Sequence, residues 1–243
     1  MKTIFMVSVI NADEARAATQ GGAGIIDVKN PLEGALGAPL PGVLAEIKEE
    51  LGGGIPLSVA LGEFPGKPGA AALAALGAAH FRPDYIKVAF LPGAPAQEVR
   101  ETLTQIRKVV PCALIAGAYA DKAKQALWSL EQLTEIAHAC AADGCLIDTH
   151  DKDGSTLFNH LTEEEIYDFV QACQKRGLLC ALAGSVGFSH IPALQRLCPD
   201  IVGSRTAVCG GDRLNGRVSA ELVRDFGLQL SGQGAGTAPE CSR

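Results

Sequence analysis

The stretch Gly24–Gly42, GIIDVKNPLEGALGAPLPG, decides how the rest of the chain is read. Ile25, Ile26 and Val28 form a short apolar run of the kind that fills a buried strand. A loop rich in proline and glycine follows at once. From Leu40 to Leu51 apolar residues then recur at helical intervals, ahead of a glycine run. Strand, loop and helix make one unit. Inside it Asp27 and Lys29 interrupt the apolar run, and because they are two residues apart a strand points both to the same side. The stretch alone leaves open a structural ion pair and a catalytic amine with its partner.

The unit recurs along the chain. Further strand-like runs are Thr3–Val9, Pro56–Leu61, Asp84–Phe90, Cys112–Gly117, Gly144–Thr149, Leu179–Ala183 and Asp200–Ser204. Helical spacing fills the intervals over Ala12–Gln20, Ala70–His80, Ala96–Val110, Leu127–Ala142, Glu163–Arg176, Ile191–Leu197 and Ala220–Phe226. Eight strands alternating with eight helices imply a parallel sheet with helical crossovers, and at this length a single-domain (β/α)8 TIM barrel over 1–230. A doubly wound open sheet is the weaker alternative, because no G-x-G-x-x-G follows the first strand. From Ser231 to Arg243 the chain is small, polar and aperiodic, and it reads as a disordered tail.

Composition narrows the function. The 243 residues are 47% hydrophobic and carry a formal net charge of −6, with no basic run, so general nucleic-acid affinity is not expected. The N-terminal apolar run is too short to span a membrane. The eight cysteines form no C-x-x-C pair, and no histidine stands at zinc-finger spacing. They read as reduced core thiols of a cytoplasmic protein, and neither metal nor cofactor is expected.

In a barrel of this kind chemistry gathers at the carboxyl ends of the strands. Asp27 and Lys29 close the second strand, and Lys87 lies deep in the fourth. Tyr119 and Asp121 stand just past the fifth; Asp148, His150, Asp151, Lys152 and Asp153 follow from the sixth. Lysine is rarely buried unpaired, so two lysines in strand runs are informative. After the seventh and eighth strands come AGSVG and GSRTAVCGG, loops of the small residues that let backbone N–H groups approach a phosphate. Gly184, Ser185, Gly203, Ser204 and Arg205 are the candidates there, with Arg205 as a bidentate contact. Amines and carboxylates beside a phosphate site suit Schiff-base chemistry on a phosphorylated carbonyl compound.

The motifs DVKNPLEGALGAP around Lys29, DYIKVAF around Lys87 and LIDTHDKDGSTLF around Lys152 resemble (5-formylfuran-3-yl)methyl phosphate synthases, the methanofuran-biosynthesis family. The resemblance spans about 3–228. It implies a (β/α)8 barrel that joins two molecules of glyceraldehyde 3-phosphate with loss of phosphate and two waters. It also implies Lys29 as the Schiff-base lysine and Lys87 as general acid/base, with Asp27, Asp148 and Lys152 as further active-site groups. The expected partner is thus a triose phosphate, with homo-oligomer formation left open. Two other functions fit the residues alone: a class I aldolase acting on a sugar phosphate, and a non-catalytic binder of phosphorylated metabolites.

Overall fold

A computed structural model of the chain describes residues 3–212 and 215–233. Eight strands close into an all-parallel barrel in sequence order: β1 (Ile4–Val9), β2 (Ile25–Val28), β3 (Leu57–Glu63), β4 (Tyr85–Ala89), β5 (Ala113–Tyr119), β6 (Gly144–Asp148), β7 (Leu179–Leu182) and β8 (Ile201–Ser204). The helices are α1 (Ala12–Gln20), α2 (Pro41–Leu51), α3 (Pro68–Ala79), α4 (Ala96–Arg107), α5 (Leu130–Ala139), the single turn α6 (Leu157–His160), α7 (Glu163–Lys175), α8 (Ile191–Leu197) and α9 (Ala220–Leu230). The expected barrel is therefore the fold, with α6 as one turn the periodicity did not reveal. No helix among the described residues is long and apolar enough to cross a membrane.

Local chemistry sets the helix ends. Asn11 accepts the Glu14 N–H at 2.9 Å and starts α1. Proline stands in the first turn of α2 and of α3, and Gly52 closes α2 in the left-handed region at φ 56°. Reciprocal Ser129–Gln132 and Thr162–Glu165 capping boxes start α5 and α7. The first of these corrects a boundary: Leu127 and Trp128 precede the cap and belong to the loop. There the indole N–H of Trp128 donates to the Ala94 carbonyl.

Two apolar layers hold the barrel. The outer one, between sheet and helices, contains Val7, Ile26, Val59, Ile86, Leu114, Ile147 and Val202. The inner one contains Met6, Ile25, Ala60, Ala89, Ile115, Tyr119, Leu146 and Ala181. Ala35 and Leu36 of the loop after β2 join this inner cluster. At the amino-terminal rim an aspartate before each of three alternate strands accepts an N–H from the start of the preceding strand. The pairs are Asp84 with Leu57, Asp143 with Leu114 and Asp200 with Cys180, at 2.8, 2.8 and 2.9 Å. These acids lie far from the strand ends that carry chemistry, and they serve stability.

Six cysteines, Cys112, Cys140, Cys145, Cys173, Cys180 and Cys209, are free thiols as expected. Cys198 departs from that expectation and is disulfide-bonded. Of the expected tail, Ser231, Gly232 and Gln233 close α9 through their N–H groups, and the remainder lies outside the described residues.

Candidate active site

The carboxyl ends of the strands line a small cavity that opens to solvent. Asp27, Lys29, Lys87, Asp148, Lys152, Gly184, Ser185, Gly203, Ser204 and Arg205 all line it, whereas Tyr119, Asp121, His150, Asp151 and Asp153 do not. Its acids and amines are deeply buried: Asp27 is 1% exposed, Asp148 2%, Lys87 3% and Lys29 8%.

The pairing differs from the sequence expectation. Asp27 and Lys29 do share a face, but Asp27 serves Lys87, whose Nζ lies 2.5 Å from Oδ1. The intervening strand β3 presents only Ala60 in register with Lys87 and Ser58 in register with Asp27. Both side chains are short, so the Lys87 stem reaches past them. The second oxygen of Asp27 accepts the Ser8 hydroxyl at 2.9 Å. Lys29 instead faces Asp148 of β6, on the opposite side of the ring, at 3.8 Å.

Asp148 is the more crowded acid. Lys152 donates to its Oδ1 at 2.8 Å and to the Thr149 hydroxyl at 2.9 Å, and the Thr149 N–H also donates to Oδ1 at 2.7 Å. The polar run THDKDGS predicts a solvated amine for Lys152. It is instead pinned to Asp148 across an i,i+4 spacing.

These contacts shift protonation in opposite directions. Burial alone would push both aspartates up. For Asp27 the Lys87 and Lys29 ammoniums outweigh it and hold the carboxyl below its usual value. For Asp148 the Lys152 and Lys29 ammoniums do so more strongly. Burial dominates at Lys29 and brings it down to about 8, against the upward pull of Asp148 and Asp27 and with a downward push from Lys152 and Lys87.

The phosphate candidates divide. Gly184 takes a φ of 96°, and a Cβ there would stand 3.0 Å from the Thr149 methyl. Ser185 adopts a left-handed φ of 52° in the same turn. The Ser204 hydroxyl, however, donates to the Val186 carbonyl at 2.8 Å. Arg205 lines the cavity, but its guanidinium is engaged by buried Glu14, Nη1 to Oε2 at 2.5 Å and Nη2 to Oε1 at 3.0 Å. Tyr119 lies within β5, not past it. Its side chain packs in the inner cluster, its hydroxyl donates to Glu63, and burial, then Glu63, pushes the phenol far up. Asp121, His150 and Asp151 cluster at the rim. The Lys122 ammonium pairs with both acids, and Asp121 accepts the His150 and Asp151 N–H groups at 2.7 and 2.9 Å, so the group ties two loops together. Sequence reasoning missed Ser8 and Glu14. The one available signal was a hydroxyl and an acid placed where apolar strand and exposed helix residues were expected.

A family model described as 4-HFC-P synthase matches residues 5–227. The chain belongs to this family. Curated 4-HFC-P synthase relatives carry the name (5-formylfuran-3-yl)methyl phosphate synthase. The protein from Methanosarcina mazei is 42% identical over 90% of this chain and 95% of its own length. That from Methanococcus maripaludis is 40% identical over 92% and 97%. Among solved structures, phosphoribosyl anthranilate isomerase from Thermus thermophilus aligns with a TM-score of 0.66 over 96% of this chain and all of its own. At 14% identity it supports the barrel fold of this 4-HFC-P synthase family member and nothing finer.

Proposed function

We propose that this chain condenses two molecules of glyceraldehyde 3-phosphate, through a Schiff base on Lys29, into (5-formylfuran-3-yl)methyl phosphate. One phosphate and two waters leave, and the product feeds a methanofuran-type one-carbon carrier in the cytoplasm. The observation that carries this reading is Lys29 itself. It is a buried amine drawn down to about 8, open to the cavity, with its nearest carboxylate 3.8 Å away. Membership of the 4-HFC-P synthase family supports the same reading.

Neutral Lys29 adds to the aldehyde carbon, and loss of water from the carbinolamine gives an iminium ion. Removal of the proton on the adjacent carbon gives an enamine. An enamine can attack a second carbonyl or expel a phosphate from the next carbon, so both carbon–carbon bond formation and phosphate release follow from one covalent state. The Asp27–Lys87 pair is the proton-transfer unit in this scheme, the ammonium donating and the carboxylate holding it in place. Asp148 faces Lys29 and stays ionised beside Lys152, so the proton that the amine must lose passes to water in the cavity rather than to this acid. The iminium is the electron sink, so the scheme needs no cofactor. Gly184 and Ser185 lead the phosphate contacts.

Incubation with glyceraldehyde 3-phosphate tests the reaction: a furan chromophore and one inorganic phosphate per product should appear together. A sugar phosphate formed without phosphate release would instead indicate an aldolase. Borohydride added with substrate should reduce an adduct onto the peptide that contains Lys29. An adduct on Lys87 would reassign the nucleophile, and none on any lysine would remove the Schiff base.

A further inference from the structure

Glu14 is a buried acid that the proposed chemistry does not use. It is 4% exposed, in the first turn of α1, and every partner it has is fixed. Arg205 donates to both of its oxygens, and the Ile10 N–H donates to Oε2 at 3.0 Å. Arg205 also donates to the Ser8 carbonyl and to the Gly216 carbonyl, each at 3.3 Å. The pair thus ties the end of β1, the start of α1, the end of β8 and the loop before α9 at one point. Ser8 stands between this knot and the reaction space. Its carbonyl faces the arginine, while its hydroxyl lines the cavity and donates to Asp27 at 2.9 Å. The other Asp27 oxygen meets Lys87.

A buried ion pair is a poor device for stability, because desolvating two charges cancels most of their attraction. Well-packed apolar residues in the same space often do as well. What such a pair supplies is fixed geometry, and here the fixed object is the strand end that carries Ser8. We propose that Ser8 is a positioning residue for the Asp27–Lys87 pair, and that Glu14–Arg205 is the brace that holds Ser8 in place rather than an anion clamp. The proposal rests on the assignment of Asp27–Lys87 as the proton-transfer unit. The hydroxyl turns the carboxylate so that one oxygen points at Lys87. Its hydrogen bond also favours ionised Asp27, in the same direction as the Lys87 and Lys29 charges.

The tests are Ser8→Ala, Ser8→Thr and the apolar double variant Glu14→Leu/Arg205→Met, each read by thermal unfolding, kcat, KM and pH profile. Ser8→Ala should fold normally and lower kcat by about ten- to a hundredfold, the scale of a misplaced catalytic group. KM should stay within about threefold, a change small beside that loss. Without the hydroxyl Asp27 holds its proton to higher pH, so the acidic limb of the kcat profile should move upward. Ser8→Thr should restore most of the rate and return the limb. The double variant should remain folded and reproduce the lowered kcat and shifted limb. An unchanged kcat and limb in Ser8→Ala would overturn the role of Ser8. A double variant that raises KM tenfold or more at unchanged kcat would make Arg205 an anion clamp, and one that does not fold would make the pair structural; either overturns the brace. Borohydride trapping at Lys29 should persist in Ser8→Ala. Loss of trapping in the parent enzyme would sink the Schiff-base reading, while the limb shift would still report on Asp27.

Discussion

The amine of Lys29 can be titrated by its own reactivity. An ordinary lysine near 10.4 is neutral in roughly one molecule in 2,500 at pH 7. Burial brings Lys29 to about 8, so roughly one in ten is neutral at that pH. The gain is about 250-fold in reactive amine, or about 3 kcal/mol. The perturbation is pH, and the assay is the rate at which cyanoborohydride traps substrate on the Lys29 peptide with triose phosphate below saturation. Between pH 6 and 7.5 the rate should rise about tenfold per unit and then level off above pH 8. The phosphate group is half way through its second ionisation near pH 6 and nearly complete by about pH 7.5, so it does not confuse the range above that. A rate that keeps climbing tenfold per unit up to pH 10 would refute the reasoning, for it would mean an unperturbed amine. The same shift carries a stability sign. Below pH 8 Lys29 is protonated in both folded and unfolded chains, and the folded state bears the whole burial cost; from pH 8 to about 10.5 the folded amine is already neutral and the cost fades. Lys29→Met should therefore stabilise the fold at pH 7, by at most about 3 kcal/mol, and should give no gain above pH 10.5. A destabilised Lys29→Met at pH 7 would contradict the same argument by an independent route.

Lys87→Ala should cripple turnover yet leave some trapping at Lys29, and it should cost about 3 kcal/mol in denaturant unfolding, because buried Asp27 loses its contacting ammonium and keeps only the Ser8 hydrogen bond and the more distant Lys29 charge. Gly184→Val should raise KM and lower Tm, since its φ of 96° suits glycine and a Cβ would crowd Thr149; normal substrate affinity would place the phosphates elsewhere. Exhaustive chelation should leave full activity, and a loss restored by one divalent ion would count against iminium catalysis.

The alternation of apolar runs was enough to count the strands, because each buried parallel strand needs its own run and each crossover its own amphipathic helix. Lys29 and Lys87 were conspicuous for the same reason: charge inside an apolar run has no cheap explanation. Partners were not legible. Asp27 and Lys29 are neighbours in sequence and face the same way, but barrel closure decides what each meets. The small Ser58 and Ala60 on β3 admit Lys87 to Asp27, and the ring sets Asp148 opposite Lys29. Arg205 looked like an anion contact because its glycine-rich loop was visible, whereas Glu14, 191 residues away, was not recognisable as its partner. Lys152 looked solvated because loop composition reports polarity, not the turn that returns its ammonium to Asp148.

The three amines can be ranked by what each would leave behind on losing its proton. Lys87 is 2.5 Å from Asp27, whose other oxygen accepts one hydroxyl, so a neutral Lys87 would leave a buried carboxylate with no ammonium in contact among the described residues. Lys152 is 2.8 Å from Asp148 and shares that oxygen with the Thr149 N–H. Lys29 is 3.8 Å from the same acid. When Lys29 gives up its proton, Asp148 keeps Lys152 and the N–H, so no charge is left unpaired and the penalty for an isolated buried ion does not arise. Two tightly held ammoniums therefore keep two carboxylates ionised, and the loosely held third is the one that can become a nucleophile. The argument also limits where a substrate phosphate can bind. A phosphate that drew Lys152 away from Asp148 would hand that acid to Lys29 and hold the amine protonated, opposing the first chemical step. A phosphate held by backbone N–H groups around Gly184 and Ser185 leaves the Lys152–Asp148 pair intact, and with Arg205 neutralised by Glu14 the nucleophile keeps its freedom to lose a proton while substrate is bound.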